Sequence, residues 1–107
     1  MNEINVVRAL VPLGEQLAQL AEEAVELAHA ALKARRALGV TGNPTPVRLS
    51  ESLGALMEEV ADVHLCLRVL GYDIQDTDCQ NIMSAKLSRW AMRLQAEGGS
   101  SGGEGGF

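Results

Sequence analysis

The sequence predicts an all-α protein: three main helices and a short N-terminal one, completed into a four-helix-bundle-type core by association between copies. Three observations carry that prediction. Aromatic residues make up only 3% of the chain, as Tyr72, Trp90 and Phe107, so the core must come from Leu, Val, Ala, Ile and Met, which favours helices over a β-sandwich. Two long segments repeat their apolar residues at the helical period. The second half of the later segment is apolar nearly all round, more than one neighbour in a small chain can cover, which places it at a bundle centre or a subunit interface.

Residues 2–11 add a short helix. From Leu13 to about Leu38, the residues Leu13, Leu17, Leu20, Ala24, Leu27 and Ala31 recur at alternating spacings of four and three, one face of a long amphipathic helix. Pro12 suits its first turn and Gly39 its C-terminal stop. Residues 39–50, GVTGNPTPVRLS, hold two prolines and two glycines and read as a loop. Ser50 or Ser52 is expected to cap the next helix, which runs to Leu70 before Gly71 ends it. After GYDIQ, the run Asp76, Thr77, Asp78 supplies caps for a third main helix with Met83, Leu87, Trp90 and Leu94 on one face. The domain is therefore expected over 1–96, with 97–107, EGGSSGGEGGF, as a flexible tail that has too little apolar surface to order itself.

At 107 residues and 11.4 kDa the chain is one domain's worth. Its net charge of −5 argues against a nucleic-acid partner, since phosphate neutralisation needs a basic surface and base stacking needs aromatic platforms. Cys66 and Cys79 complete neither a zinc site nor a disulfide framework, so a reduced, cytoplasmic setting is expected. The N-terminal stretch has no basic region leading into a long apolar run, and no uncharged run approaches a membrane span of about 18 residues, so no membrane association is expected.

The acidic residues carry the chemistry. The first long helix bears Glu22, Glu23 and Glu26 in AEEAVEL, and the second bears Glu58, Glu59 and Asp62 in MEEVADV. Positions three apart share a helix face, so Glu23 with Glu26, and Glu59 with Asp62, each present converging oxygens. Antiparallel packing of the two helices would put four carboxylates around one spot. Two unit charges ~4 Å apart repel by about 4 kcal/mol at an effective dielectric of ~20. A hard divalent cation relieves that repulsion, and Mg²⁺ in particular completes its shell with waters and substrate phosphate oxygens.

A solvated surface would produce the same stripe on the first helix, where Glu15, Gln19, Glu22, Glu26, His29, Lys33 and Arg36 lie together. The second helix weighs the other way: Glu58 and Asp62 share their stripe with Leu65, Cys66 and Val69, and acids in apolar surroundings need partners. Glu26 and His29 form one Glu-x-x-His pair, but a di-iron bundle needs two. His64 reads as an interface or core-edge histidine, Cys66 as a small buried hydrophobe, and Met57, Met83 and Met92 as packing. Lys86 and Arg89 on the third main helix are placed to clamp phosphates, although cations near a helix C-terminus are also favoured by the dipole alone.

Together, GEQLAQLAEEAVEL and EEVADVHLCLRVL resemble the MazG-like all-α nucleoside triphosphate pyrophosphohydrolases over about residues 3–95. The shared pattern is Glu-Glu-x-x-Glu on one helix and Glu-x-x-Asp on the next, here Glu22, Glu23 and Glu26, then Glu59 and Asp62. KLSRWAMRL is similar to the basic segment that closes many members. The resemblance implies a homodimer or homotetramer with Mg²⁺, or Mn²⁺ as a substitute, held by Glu23, Glu26, Glu59 and Asp62. It makes Glu22 a further ligand or an acid just behind the ligands. Gln16 would face the nucleotide, and Lys86 and Arg89 its phosphates. The implied reaction splits a nucleoside triphosphate into monophosphate and pyrophosphate. An acid takes the proton of the attacking water, and Glu22 is the one assigned. Two departures stand out: the 32 residues between Glu26 and Glu59 are long for the family, and Tyr72 and Trp90 are the only aromatic residues on hand to stack on a base. A phosphoribosyl-ATP pyrophosphohydrolase and a non-catalytic helical oligomerisation module are the alternatives.

Overall fold

In a computed structural model of the protein, which describes residues 2–39 and 48–98, every regular element is a helix, in the order α1 (Glu3–Leu10), α2 (Leu13–Ala37), α3 (Leu49–Leu70) and α4 (Thr77–Ala96). The described residues contain no strand. Most of the expected loop, 40–47, and the tail from 99 onward lie outside the described residues. None of the described helices is long and apolar enough to cross a membrane.

Local chemistry sets the helix ends. The Asn2 side chain accepts the Asn5 N–H at 2.9 Å and starts α1. Pro12 stands just outside α2 as its N-cap, and past the C-cap Leu38 the chain turns through Gly39 at φ 76°. α3 ends in a Schellman motif: Gly71, at φ 90°, donates to the Arg68 carbonyl, and Tyr72 donates to the Leu67 carbonyl at 2.8 Å. Asp76 caps α4 by accepting the Asp78 N–H at 2.8 Å, as its sequence predicts.

The start of α3 departs from expectation. The helix begins at Leu49 with Arg48 as its N-cap and without a side-chain cap bond. Ser52 lies inside the helix and is 2% exposed. Neither Ser50 nor Ser52 precedes the first helical residue, so neither occupies the position from which a serine caps.

The chain divides into two compact units after Tyr72. In the first, α2 and α3 make the principal packing and α1 packs against α3. The pair runs antiparallel: Gln16 and Gln19 share a cleft with Leu65, Cys66 and Val69, while further along α2 Glu23 meets Glu59 and Asp62. On α2 the less exposed positions include Gln16, Leu20, Glu23, Leu27, Ala30, Ala34 and Ala37, and on α3 Ser52, Leu56, Glu59, Val63, Cys66 and Leu70. Both series alternate four and three, the spacing of a knobs-into-holes seam.

That seam corrects the face expected for α2. Of the six predicted inward residues only Leu20 and Leu27 lie on it, while Leu13 and Leu17 are 64% and 51% exposed. The helix carries two overlapping apolar stripes, and the one chosen for pairing includes two polar residues. Ala34 is the sole buried hydrophobic residue among the described ones. At α1, the Arg8 guanidinium donates to the Val69 carbonyl at 2.8 Å and to the Arg68 carbonyl, tying α1 to the carbonyl end of α3.

In the second unit, α4 carries Ile82, Met83, Leu87, Met92 and Leu94, all exposed. Gln80, Met83, Ser84, Lys86, Leu87 and Trp90 line a shallow cleft along it.

Candidate metal centre

The seam delivers Glu23 and Glu59 to its middle. Each occupies a position where a coiled pair ordinarily buries an aliphatic side chain, and each is half-buried. Asp62, one turn beyond Glu59, is exposed. Each of the three offers a carboxylate oxygen that lies within 4.8 Å of the other two. Mg²⁺ takes oxygen ligands at about 2.1 Å in near-octahedral geometry, so three carboxylate oxygens gathered this closely make a candidate donor set.

Glu59 is the strained member. Its Oε2 is shielded from solvent and has no hydrogen-bond partner. Burial pushes the Glu59 carboxyl above its ordinary value, and the charges of Asp62, Glu23, Glu26 and Glu58 push it the same way. Burial of an ionised carboxylate oxygen with no donor is costly, and here all four neighbouring charges that move the group are acids. A hard cation supplies what Glu59 lacks, so the donor set, all oxygen and rich in charge, fits Mg²⁺ or Mn²⁺.

Glu23 is held differently, because Gln19, one turn earlier, donates its Nε2–H to Glu23 Oε1 at 2.9 Å. Glu26 lies near enough to raise the Glu59 carboxyl but outside the close trio. Glu22 is exposed and is not among the charges that move Glu59. Glu58, counted among the acids in apolar surroundings, is exposed, and Glu59 takes the seam position instead. His64 is exposed, as are Met57, Met83 and Met92, which were expected to pack. Lys86 and Arg89 belong to α4 in the second unit; Lys86 is half-buried and Arg89 exposed.

Beside the acids lies a cleft of about 490 Å³ between α1, α2 and α3. Ile4, Val7, Val11, Leu65 and Val69 give it aliphatic walls, and Glu3, Glu15, Gln16, Gln19 and Cys66 stand on its polar side. The Gln16 Nε2–H donates to the Val11 carbonyl at 2.8 Å, which holds its carboxamide at the cleft wall. Cys66 is a free, half-buried thiol; burial pushes its pKa up, and so do the charges of Glu23 and Asp62. The sequence reading places Cys66 in packing and Gln19 on a solvated face, yet each stands one turn from an acid of the trio, Gln19 from Glu23 and Cys66 from Asp62.

Comparison with known proteins finds no family model, no curated protein and no solved structure that matches the chain.

Proposed function

We propose that the protein is a Mg²⁺-dependent nucleoside triphosphate pyrophosphohydrolase of the MazG-like all-α kind, taking part in nucleotide-pool control. The observation that carries this reading is the meeting of Glu23 from the first acidic motif with Glu59 and Asp62 from the second, at the middle of a helix seam and beside a cleft.

In this reading Glu23, Glu59 and Asp62 bind the cation, and Glu26 joins them from one turn beyond Glu23. When bound, Mg²⁺ supplies charge neutralisation and Lewis acidity to a triphosphate. The side chains do the rest. Gln16, in the cleft wall, orients the nucleoside portion, and the aliphatic walls exclude water from it. Water adds across the anhydride bond between the α- and β-phosphates, releasing nucleoside monophosphate and pyrophosphate, and Glu22 takes the proton of that water.

The active form is a homodimer or homotetramer. Ala34 is the one buried hydrophobic residue among those described, while Leu13, Leu17, Leu53 and Leu65 are exposed on the first unit. A chain that is 47% hydrophobic gains most of its stability from burial, and a second copy presenting the same surface covers these side chains.

The test is pyrophosphate release from all common ribo- and deoxyribonucleoside triphosphates with Mg²⁺ or Mn²⁺, beside Asp62→Asn. Release that the substitution abolishes is the expected result. Silence with cation demonstrably bound redirects the reading to phosphoribosyl-ATP. Silence without cation binding leaves a helical oligomerisation module.

A further inference from the structure

We propose that Gln19 is a positioning residue of the cation site, an inference that rests on the reading of Glu23, Glu59 and Asp62 as ligands. Gln19 and Glu23 are four residues apart and therefore stacked on one face of α2, and the Gln19 carboxamide donates to Glu23 Oε1 at 2.9 Å. Glu23 is one of the three acids whose oxygens converge. A carboxylate on a flexible stem has several rotamers open to it, and a donor one turn away selects one.

The type of donor matters. A lysine or arginine at position 19 would also reach Glu23, but its charge would compete with the cation for the same carboxylate. A neutral carboxamide orients Glu23 and leaves its full negative charge available. Glu59 shows what the site is like without such a donor, since its Oε2 is both shielded and unpartnered. Gln19 thus serves Glu23, one of the two seam acids.

Gln19 also lines the 490 Å³ cleft, so the residue that orients Glu23 touches whatever occupies that space. Gln16, the other carboxamide of the cleft, donates to the Val11 carbonyl. Gln19 therefore joins the cleft to the acids, and it does so through a hydrogen bond rather than through the backbone.

The experiment is a Mn²⁺ titration of the full chain by electron paramagnetic resonance, comparing the unaltered protein with Gln19→Met and Glu59→Gln. Methionine keeps the length and helix preference of glutamine and removes the donor. Loss of a hydrogen bond to a metal ligand typically weakens binding by about 10–100-fold, and since Gln19 is exposed we expect the low end, about ten-fold. The resonance of bound Mn²⁺ should broaden as Glu23 samples more positions, while the melting temperature without cation stays unchanged. Equal affinity and an equal spectrum for Gln19→Met would overturn the role of Gln19 alone. Weaker binding accompanied by a lower cation-free melting temperature would overturn it too, by making Gln19 structural. Mn²⁺ affinity that Glu59→Gln leaves untouched would remove the cation site itself, and the proposal with it.

Discussion

One half of the α2·α3 seam is built of Leu27, Ala30, Ala34 and Ala37 facing Ser52 and Leu56; the other carries Gln16 and Glu23 facing Glu59 and Cys66. Both halves keep the same alternation of four and three. Among the described residues, the first contains the one buried hydrophobic residue and the most buried polar one, at 6% and 2% exposure. The second leaves its acids half-buried beside an open cleft. Shape complementarity between small side chains holds the helices together in one half, and the other half spends that rigidity on keeping like charges close. An acid pair at the middle of a packing seam is a local contradiction of the fold, and such contradictions are where function is expected.

The contrast can be broken most severely by carrying an acid into the closed half. Ala34→Glu should destabilise the protein by about 3 kcal/mol or more, because an unpaired charge there has neither water nor partner. Chemical denaturation would register that loss as a lower midpoint. A midpoint unchanged from that of the unaltered protein would mean that the alanine half is not the anchor.

Cation should act on the other half. A ligand that binds only the folded state stabilises it by about 2.7 kcal/mol at ~100 times its Kd, so millimolar Mg²⁺ or Mn²⁺ should raise the melting temperature, and Ala34 should play no part in the rise. A smaller effect is expected at the cleft end. Arg8→Met removes the bonds to the Val69 and Arg68 carbonyls and should cost about 1 kcal/mol, visible as faster amide exchange in α1 and the last turn of α3.

The smallest effect is a pH dependence. The Glu59 carboxyl is raised above its ordinary 4.5 in the folded protein, so the folded state binds its proton more tightly than the unfolded state does. Its contribution to stability is fully present below pH 4.5 and is lost as pH rises through the raised value. Without cation, the melting temperature of the unaltered protein relative to Glu59→Gln should therefore fall between pH 4.5 and 7. A constant difference across that range would contradict the raised value.

Helix existence was legible from the sequence because its signals are local. Period, glycine stops at Gly39 and Gly71 and the Asp76 cap each act within a turn or two, and α2 and α4 follow them closely. The choice of packing face was not, because α2 has two apolar stripes that share Leu20 and Leu27. Counting leucines favours the stripe through Leu13 and Leu17, whereas the structure pairs the one through Gln16 and Glu23. The same bias puts Glu58 rather than Glu59 among the apolar residues of α3, although the acidic spacing itself pairs Glu59 with Asp62. The acidic motifs themselves were legible, since their spacing within each helix is local. Their meeting across the seam depends on the register between two helices, which no single-helix pattern contains.

Replacing the most strained acid by an apolar residue of similar volume tests most directly whether the middle of the seam exchanges pairing stability for a cation. Thermal melting of Glu59→Met and the unaltered protein, each with and without Mn²⁺, should show a crossover. Without cation Glu59→Met should melt higher, relieved of a shielded and unpartnered carboxylate oxygen, and with cation it should melt lower, having lost the ligand. A Glu59→Met protein that melts lower without cation, or that gains as much from Mn²⁺ as the unaltered one, would contradict the account.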